Sequence, residues 1–363
     1  TVGLWSRFVG KPDVFKREET KTKAPSPPGD ETQGEAQEEG GTGGGCGGIM
    51  LDPQASFSDK YDQLMKHIDG LCKPMGALGT LEDWAARLGA LQGKVPAVSN
   101  PVCIVFAGDH GVARAIEDGG EACSSFPQAI TKKILMSLHE GWAGACVLAE
   151  ANNVKLRVVD VGVGTGTRNC AVEAAMSLGE VEAAIAAAED AVVELAEAGH
   201  DAIVLGEIGI GNTTVSSLLL CALSGESPEN CCDQGATKTK VPDPQVVRKK
   251  VAIIKKALAR FPEYASSKVP WRTTTLLSQF GGAEIAAIVG ALFKCGELGL
   301  PVLIDGFIVT VAALAAATSQ PELTRTFFLA TKSAEKGQEI AVGRIRALSE
   351  EAGLPPPPPP APG

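Results

Sequence analysis

Four short apolar runs, Val102–Ala107, Leu156–Val163, Ala202–Leu205 and Val302–Ile304, each close on a glycine-rich or polar turn and alternate with longer helical segments. That alternation predicts an α/β protein, a mainly parallel, Rossmann-like sheet wrapped by helices. Ahead of it, residues 59–97 carry only helical signals and predict a smaller helical lobe from the N-terminal helices. The folded unit is therefore expected over residues 59–351, with its α/β core at 98–351. A low-complexity segment, 1–58, precedes it and a proline-rich tail, 352–363, follows.

Taken in chain order, Lys11 to Gly48 is rich in Lys, Glu, Pro, Gly and Thr, with Val14 and Phe15 as its only large apolar residues. Such a composition buries too little surface to offset the entropy of ordering, so disorder is expected. Asp59 to Gly70 has a helical pattern that Lys73-Pro74 ends. Thr80 with Glu82 and Asp83 then reads as an N-cap and acidic first turn before Trp84 to Leu91. In the core, helices are placed at Gln128–Ala151, Glu180–Ala198, Thr213–Leu223, Gln245–Arg260, Ala283–Gly296 and Gln338–Glu351. Pro355 to Gly363 is a proline run, expected to be extended and to serve as a passive tail.

Composition narrows the function classes. The chain has 363 residues, 44% of them hydrophobic, enough for a substantial core. Asp plus Glu number 43 against 33 Lys plus Arg, a net charge of −10, and no basic cluster offsets it, so no nucleic-acid partner is expected. No apolar run reaches the roughly eighteen residues of a membrane span, so no membrane partner is expected and the protein is read as soluble and intracellular, its compartment open. The ten cysteines lack any C-x-x-C pair and suit buried free thiols in a reducing compartment, with Cys231 and Cys232 in a polar loop. Four histidines, His67, His110, His139 and His200, show no metal-ligand spacing, so neither a metal nor a cofactor is expected.

The chemistry is expected at the strand ends, where an open α/β sheet places its ligand. Most informative is Leu205-Gly206-Glu207-Ile208-Gly209-Ile210-Gly211-Asn212-Thr213-Thr214, which reads strand, glycine loop, helix. Backbone N–H groups and a helix N-terminus suit a phosphate there, and Asn212 and Thr213 add donors. Glu207 inside such a loop is costly unless it moves a proton or orients a sugar hydroxyl. Other turns follow the same plan: Gly108-Asp109-His110-Gly111, Gly164-Thr165-Gly166-Thr167-Arg168-Asn169, Asp305-Gly306-Phe307 and Phe280-Gly281-Gly282-Ala283-Glu284. Arg168 offers a guanidinium suited to phosphate or carboxylate. Lys250 shares a helix with Arg248, Lys249, Lys255 and Lys256, mostly a solvated face. Phe126 and Gln128 begin the helix after the G-D-H-G turn and could wall a flat apolar pocket.

In this order these segments resemble the nicotinate-nucleotide:dimethylbenzimidazole phosphoribosyltransferases of cobalamin lower-ligand assembly. The likeness runs from Ile68 to Ala347. It covers Asp69–Gly79, Phe106–Val112, Gly166–Asn169, the Glu207 loop, Gly281–Glu284, Leu303–Phe307 and Lys332–Gly337. The resemblance implies transfer of the phosphoribosyl group of nicotinate mononucleotide to 5,6-dimethylbenzimidazole, with inversion, giving α-ribazole 5′-phosphate and nicotinate. It implies no metal, since the nicotinate nitrogen is already cationic, and a homodimer. By the same likeness Glu207, Gly209, Asn212 and Thr213 belong to the nucleotide loop and Lys250 contacts phosphate. Gly166 and Asn169 line the nucleotide pocket, Asp305 and Ser333 lie near substrate, and Phe126 and Gln128 flank the benzimidazole slot, with Ile134 apolar where the family is polar.

One departure bears on mechanism. The family's general base is a glutamate in an L-G-E-G turn beyond the S-A-E-K-G helix, whereas these residues end in Leu354 and a proline run. Glu207 is then expected as a supporting carboxylate, and the alternative is a catalytically weakened nucleotide-binding relative. A dinucleotide oxidoreductase is disfavoured because no G-x-G-x-x-G opens the first strand–helix junction.

Overall fold

The computed structural model describes residues 49–114, 123–235, 243–261 and 272–361. The disorder expected over residues 11–48 lies outside them. Helices α1 (Phe57–Asp69) and α2 (Thr80–Gln92) come first and pack on one another through Leu64, Ile68, Ala86 and Ala90. Ser56 caps α1, its side chain accepting from the Asp59 N–H at 3.1 Å. Thr80 is not a cap: Gly79 takes that place, and Glu82 turns back to accept from the Leu78 N–H and from Lys73.

The core then runs β1 (Pro101–Ala107), α3 (Gly111–Arg114), α4 (Ala129–His139), α5 (Gly144–Ala151), β2 (Lys155–Asp160), α6 (Leu178–Glu197), β3 (Ala202–Ile208) and α7 (Asn212–Ser224). After these come α8 (Pro228–Cys231), α9 (Pro244–Leu258), α10 (Thr273–Phe280), α11 (Ala283–Leu298), β4 (Val302–Ile304) and α12 (Phe307–Ser319). A 3₁₀ turn (Pro321–Thr326), β5 (Phe327–Leu329) and α13 (Gly337–Glu351) complete the order. All five strands are parallel in the order β2-β1-β3-β4-β5. Parallel pairing brings every strand's carboxyl end, and so every turn of interest, to one rim of the sheet.

Side chains alternate across the pleat, and the core is built on that alternation. Val102, Ile104, Phe106, Ile203, Leu205, Val302 and Ile304 face a large cluster with α6, α7 and α10–α13. Cys103, Val105, Val204, Leu303 and Phe328 face the opposite side, where α2, α4 and α5 cover them. Trp84 of α2 meets Phe328 edge-on at 5.7 Å, tying the N-terminal helices to the sheet.

Several elements differ from expectation. β2 stops at Asp160 because its Oδ1 accepts from the N–H groups of Gly162 and Val163 and turns the chain. β3 continues past Leu205 to Ile208, pairing Phe106 with Glu207 and Ala107 with Ile208. The single helix expected over Gln128–Ala151 is two, broken at Gly141, whose φ is +81°. Cys231 and Cys232, expected in a polar loop, are buried at the end of α8. The proline run is packed: Arg87 donates to the Pro355 carbonyl at 2.5 Å, Arg346 donates to that of Pro357, and Thr331 and Ala361 form a parallel bridge beyond β5. Among the described residues no helix is long and apolar enough to cross a membrane.

Candidate active site

β3 delivers Glu207 to the rim, and Gly209 and Gly211 then turn the chain into α7. Gly211 takes a left-handed φ of +101° at the helix start, which a residue with a Cβ adopts only with strain. Asn212 grips both sides of the turn: its Nδ2 donates to Glu207 Oε2 at 2.5 Å, and its Oδ1 accepts from the Thr213 N–H at 2.8 Å. Burial, with the nearby charge of Glu284, pushes the Glu207 carboxyl up to about 7, against the opposing pull of Asn212 and His110. A carboxyl poised there exchanges its proton near neutral pH.

Lys250 of α9 is not on the solvated face of its helix. It is buried, and its Nζ donates to Thr213 Oγ1 at 2.8 Å, to the Gln234 carbonyl at 2.8 Å and to the Asp233 carbonyl at 3.1 Å. Every ammonium hydrogen thus has an acceptor, and the positive charge stands behind the start of α7. Burial lowers its pKa, against the opposing pull of Cys232 and Glu335. Burial likewise raises the Glu335 carboxyl, whose Oε2 has no hydrogen-bond partner among the described residues.

Beneath the Glu207 loop lies a pair that sequence spacing did not disclose. His110 Nε2 meets Glu284 Oε1 at 2.7 Å, both side chains fully buried. Burial works against the imidazole's charge, but Glu284, with Asp109 and Glu207 beyond it, outweighs that and raises its pKa. His110 Nδ1, Glu284 Oε2 and Asp109 Oδ1 lack partners among the described residues. The available signal was that a G-D-H-G turn and a G-G-A-E helix start both fall at the carboxyl rim.

Two cavities of about 480 Å³ open along this rim. One is walled by Ile134, Leu138 and Ala143 with Val204, and carries Glu207 and Asp305 as its acids. Asp305 accepts from the Thr331 hydroxyl. Ser333, two residues on, donates its N–H to Gln338 Oε1 and accepts from the Glu335 N–H. The other cavity is lined by Asp160, Thr165, Gly166, Thr167 and Glu180.

The structure therefore links Glu207, Gly209, Asn212, Thr213 and Lys250 through shared contacts and places Asp305 in the Glu207 cavity. Gly166 lines the second cavity, and Asn169 is occupied in its own turn, accepting from the Ala171 N–H at 3.0 Å. Arg168 is engaged within the protein: it binds Glu180, which lines the second cavity, at 2.7 Å and donates to the Ala174 carbonyl at 3.0 Å. Phe126 and Gln128 precede α4 outside the lining of either cavity. The helix they introduce touches the loop instead through Thr131, which accepts from the Ile210 N–H at 3.1 Å.

A family model described as phosphoribosyltransferase matches residues 55–349. The nicotinate-nucleotide–dimethylbenzimidazole phosphoribosyltransferase of Chromobacterium violaceum is 40% identical over 294 residues, covering 76% of this chain and 80% of that protein. The protein of the same name from Vibrio atlanticus is 36% identical over 322 residues, covering 82% and 87%. The solved structure of the enzyme of that name from Thermus thermophilus superposes with a TM-score of 0.69 at 32% identity, covering 84% of this chain and 88% of that one.

Proposed function

Because the chain belongs to the nicotinate-nucleotide–dimethylbenzimidazole phosphoribosyltransferase family, we propose that it transfers the phosphoribosyl group of nicotinate mononucleotide to 5,6-dimethylbenzimidazole in cobalamin nucleotide-loop assembly. The observation that carries the proposal is Glu207, a carboxylate poised near neutral pH beside an apolar cavity, on the loop that leads to buried Lys250.

In this reading the cavity walled by Ile134, Leu138 and Ala143 takes the flat benzimidazole, and the start of α7, with the charge of Lys250 behind it, faces the phosphate. A benzimidazole nitrogen attacks the anomeric carbon from the face opposite nicotinate, so the configuration inverts. The glycosidic electron pair leaves on the pyridinium nitrogen, which becomes neutral, and the benzimidazole N–H proton passes to a carboxylate. Glu207 serves as a supporting acceptor, with Asp305 and Ser333 toward the substrate. The comparisons do not favour the alternative of a weakened binder.

A homodimer is the assembly proposed. The α4–α5 hairpin supports it by exposing Met136, Trp142, Val147 and Leu148, of which Leu148 also lines the Glu207 cavity. A partner seated there would close the outer wall.

Incubation with both substrates, followed by chromatography, should yield α-ribazole 5′-phosphate and free nicotinate in equal amounts. Glu207→Gln should lower kcat/KM by about 10²-fold, the lower end of general-base effects. A wild-type chain that binds the mononucleotide yet forms no product would sink the proposal.

A further inference from the structure

We propose that His110 is a positioning residue for Glu207, clamped on Glu284 within a cage of glycines so that it fixes the path of the Glu207 loop and sets the charge beneath it. This rests on the reading of Glu207 as a working carboxylate.

The cage is steric. A Cβ on Gly209 would lie 3.0 Å from His110 Nε2 and 2.6 Å from the Gly108 carbonyl oxygen. One on Gly282 would lie 2.3 Å from His110 Cε1 and 2.6 Å from Glu284 Oε2, and one on Gly108 would lie 3.0 Å from that same oxygen. Three separate turns, after β1, after β3 and before α11, thus give up side chains so that backbone can close on one imidazole–carboxylate pair. The loop that carries Glu207 cannot shift toward α11 without displacing the ring.

The groups facing His110 fix its electrostatic part. Glu284 comes from the first turn of α11, where the helix's partial positive charge suits a carboxylate, Asp109 from the turn after β1, and Glu207 from β3. The cations of the adjoining turns are engaged elsewhere, Arg114 on the Thr167 carbonyl and Arg168 on Glu180 and the Ala174 carbonyl. Among the described residues the imidazole is thus the basic group that faces these acids directly, and they favour its charged form. Glu284 holds the proton on Glu207 and His110 loosens it, and of the two Glu284 acts more strongly.

Removing each partner should therefore move Glu207 in opposite directions. Glu284→Gln keeps the shape and a hydrogen-bond acceptor but deletes the charge, and the Glu207 midpoint should fall. His110→Asn deletes the cation, and the midpoint should rise. Carboxyl infrared titration of the full chain, with Glu207→Gln to assign the band, reads both shifts directly, each expected at about half a pH unit or more. The kcat/KM–pH profile should follow with the same signs. A purely structural role would cost stability or rate without splitting the signs. If His110→Asn fails to fold, Glu284→Gln decides alone: a midpoint unmoved or raised overturns the proposal. Because the infrared titration needs no turnover, absence of product would count against the phosphoribosyltransferase reading and leave this test in force.

Discussion

Two acid–base pairs of equal length sit on the same rim of the sheet, and each joins the turn after a strand to the first turn of a helix. Arg168 meets Glu180 at 2.7 Å with side chains 40% and 53% exposed, whereas His110 meets Glu284 at 2.7 Å with both at 0%. Distance is the same, and beyond the change of base from guanidinium to imidazole it is burial that sets them apart. Water screens the first pair and already solvates its charges, so little is gained by the contact. The second has no solvent to fall back on, and losing either partner strands the other in the core.

The largest test of this contrast is truncation. His110→Ala should destabilise the fold by about 3–5 kcal/mol, because Glu284 is left buried and unpaired. Arg168→Ala should cost no more than about 1 kcal/mol, and that cost should vanish in high salt. Urea denaturation midpoints measured side by side decide the matter. Equal costs at the two sites would mean that burial does not distinguish the pairs.

The two regions should also respond to pH with opposite signs. Glu207, above the buried pair, has its folded pKa raised to about 7, so between its ordinary value of 4.5 and 7 the folded chain holds a proton that the unfolded chain releases. Its contribution is fully present at low pH and is lost as pH rises through 7. His110, raised likewise, loses its contribution on the alkaline side of its ordinary 6.5. Glu180 is lowered to about 2 by Arg168 and the Ser177 backbone, so its contribution is present above 4.5 and is lost as pH falls toward 2. Glu207→Gln should therefore flatten the decline of stability between pH 4.5 and 7, by on the order of 1–3 kcal/mol. Arg168→Ala should alter only the acid side, by much less, because both partners are wet. Unfolding free energies of wild type and both variants across pH check the signs.

How legible the two regions were in the sequence follows from the range of the interactions that make them. Glycine turns at strand ends were readable, because period and punctuation are local signals, and they located the Glu207 loop, Asp305 and the G-D-H-G turn. The capping box that anchors Glu180, Ser177 with Glu180, is local too. The His110–Glu284 pair joins residues 174 positions apart, and no spacing rule connects them. For the same reason spacing alone did not separate Lys250 from its four basic neighbours, and only the family resemblance singled it out: its acceptors come from Thr213 and from residues 233 and 234, not from its own helix. α12 escaped notice because it is buried on nearly every face and so carries no polar stripe to reveal a helical period. β5 is three residues long like β4, but it lacks the Asp-Gly turn that follows β4 and so carried neither alternation nor punctuation.

The smallest effect is expected where the sequence looked most suggestive. Arg168, beside two glycines in a strand-end turn, has the composition of an anion site, yet its guanidinium is committed to Glu180 and to the Ala174 carbonyl. Its removal takes a surface contact worth about 0.5 kcal/mol from the start of α6, and Ser177 still caps that helix. If that is all it does, kcat/KM for Arg168→Ala should stay within about threefold of wild type, since tenfold requires about 1.4 kcal/mol at the transition state. A loss beyond tenfold, with stability unchanged, would mean that Arg168 leaves Glu180 for the phosphate when substrate binds, and the wet pair would then be the working one.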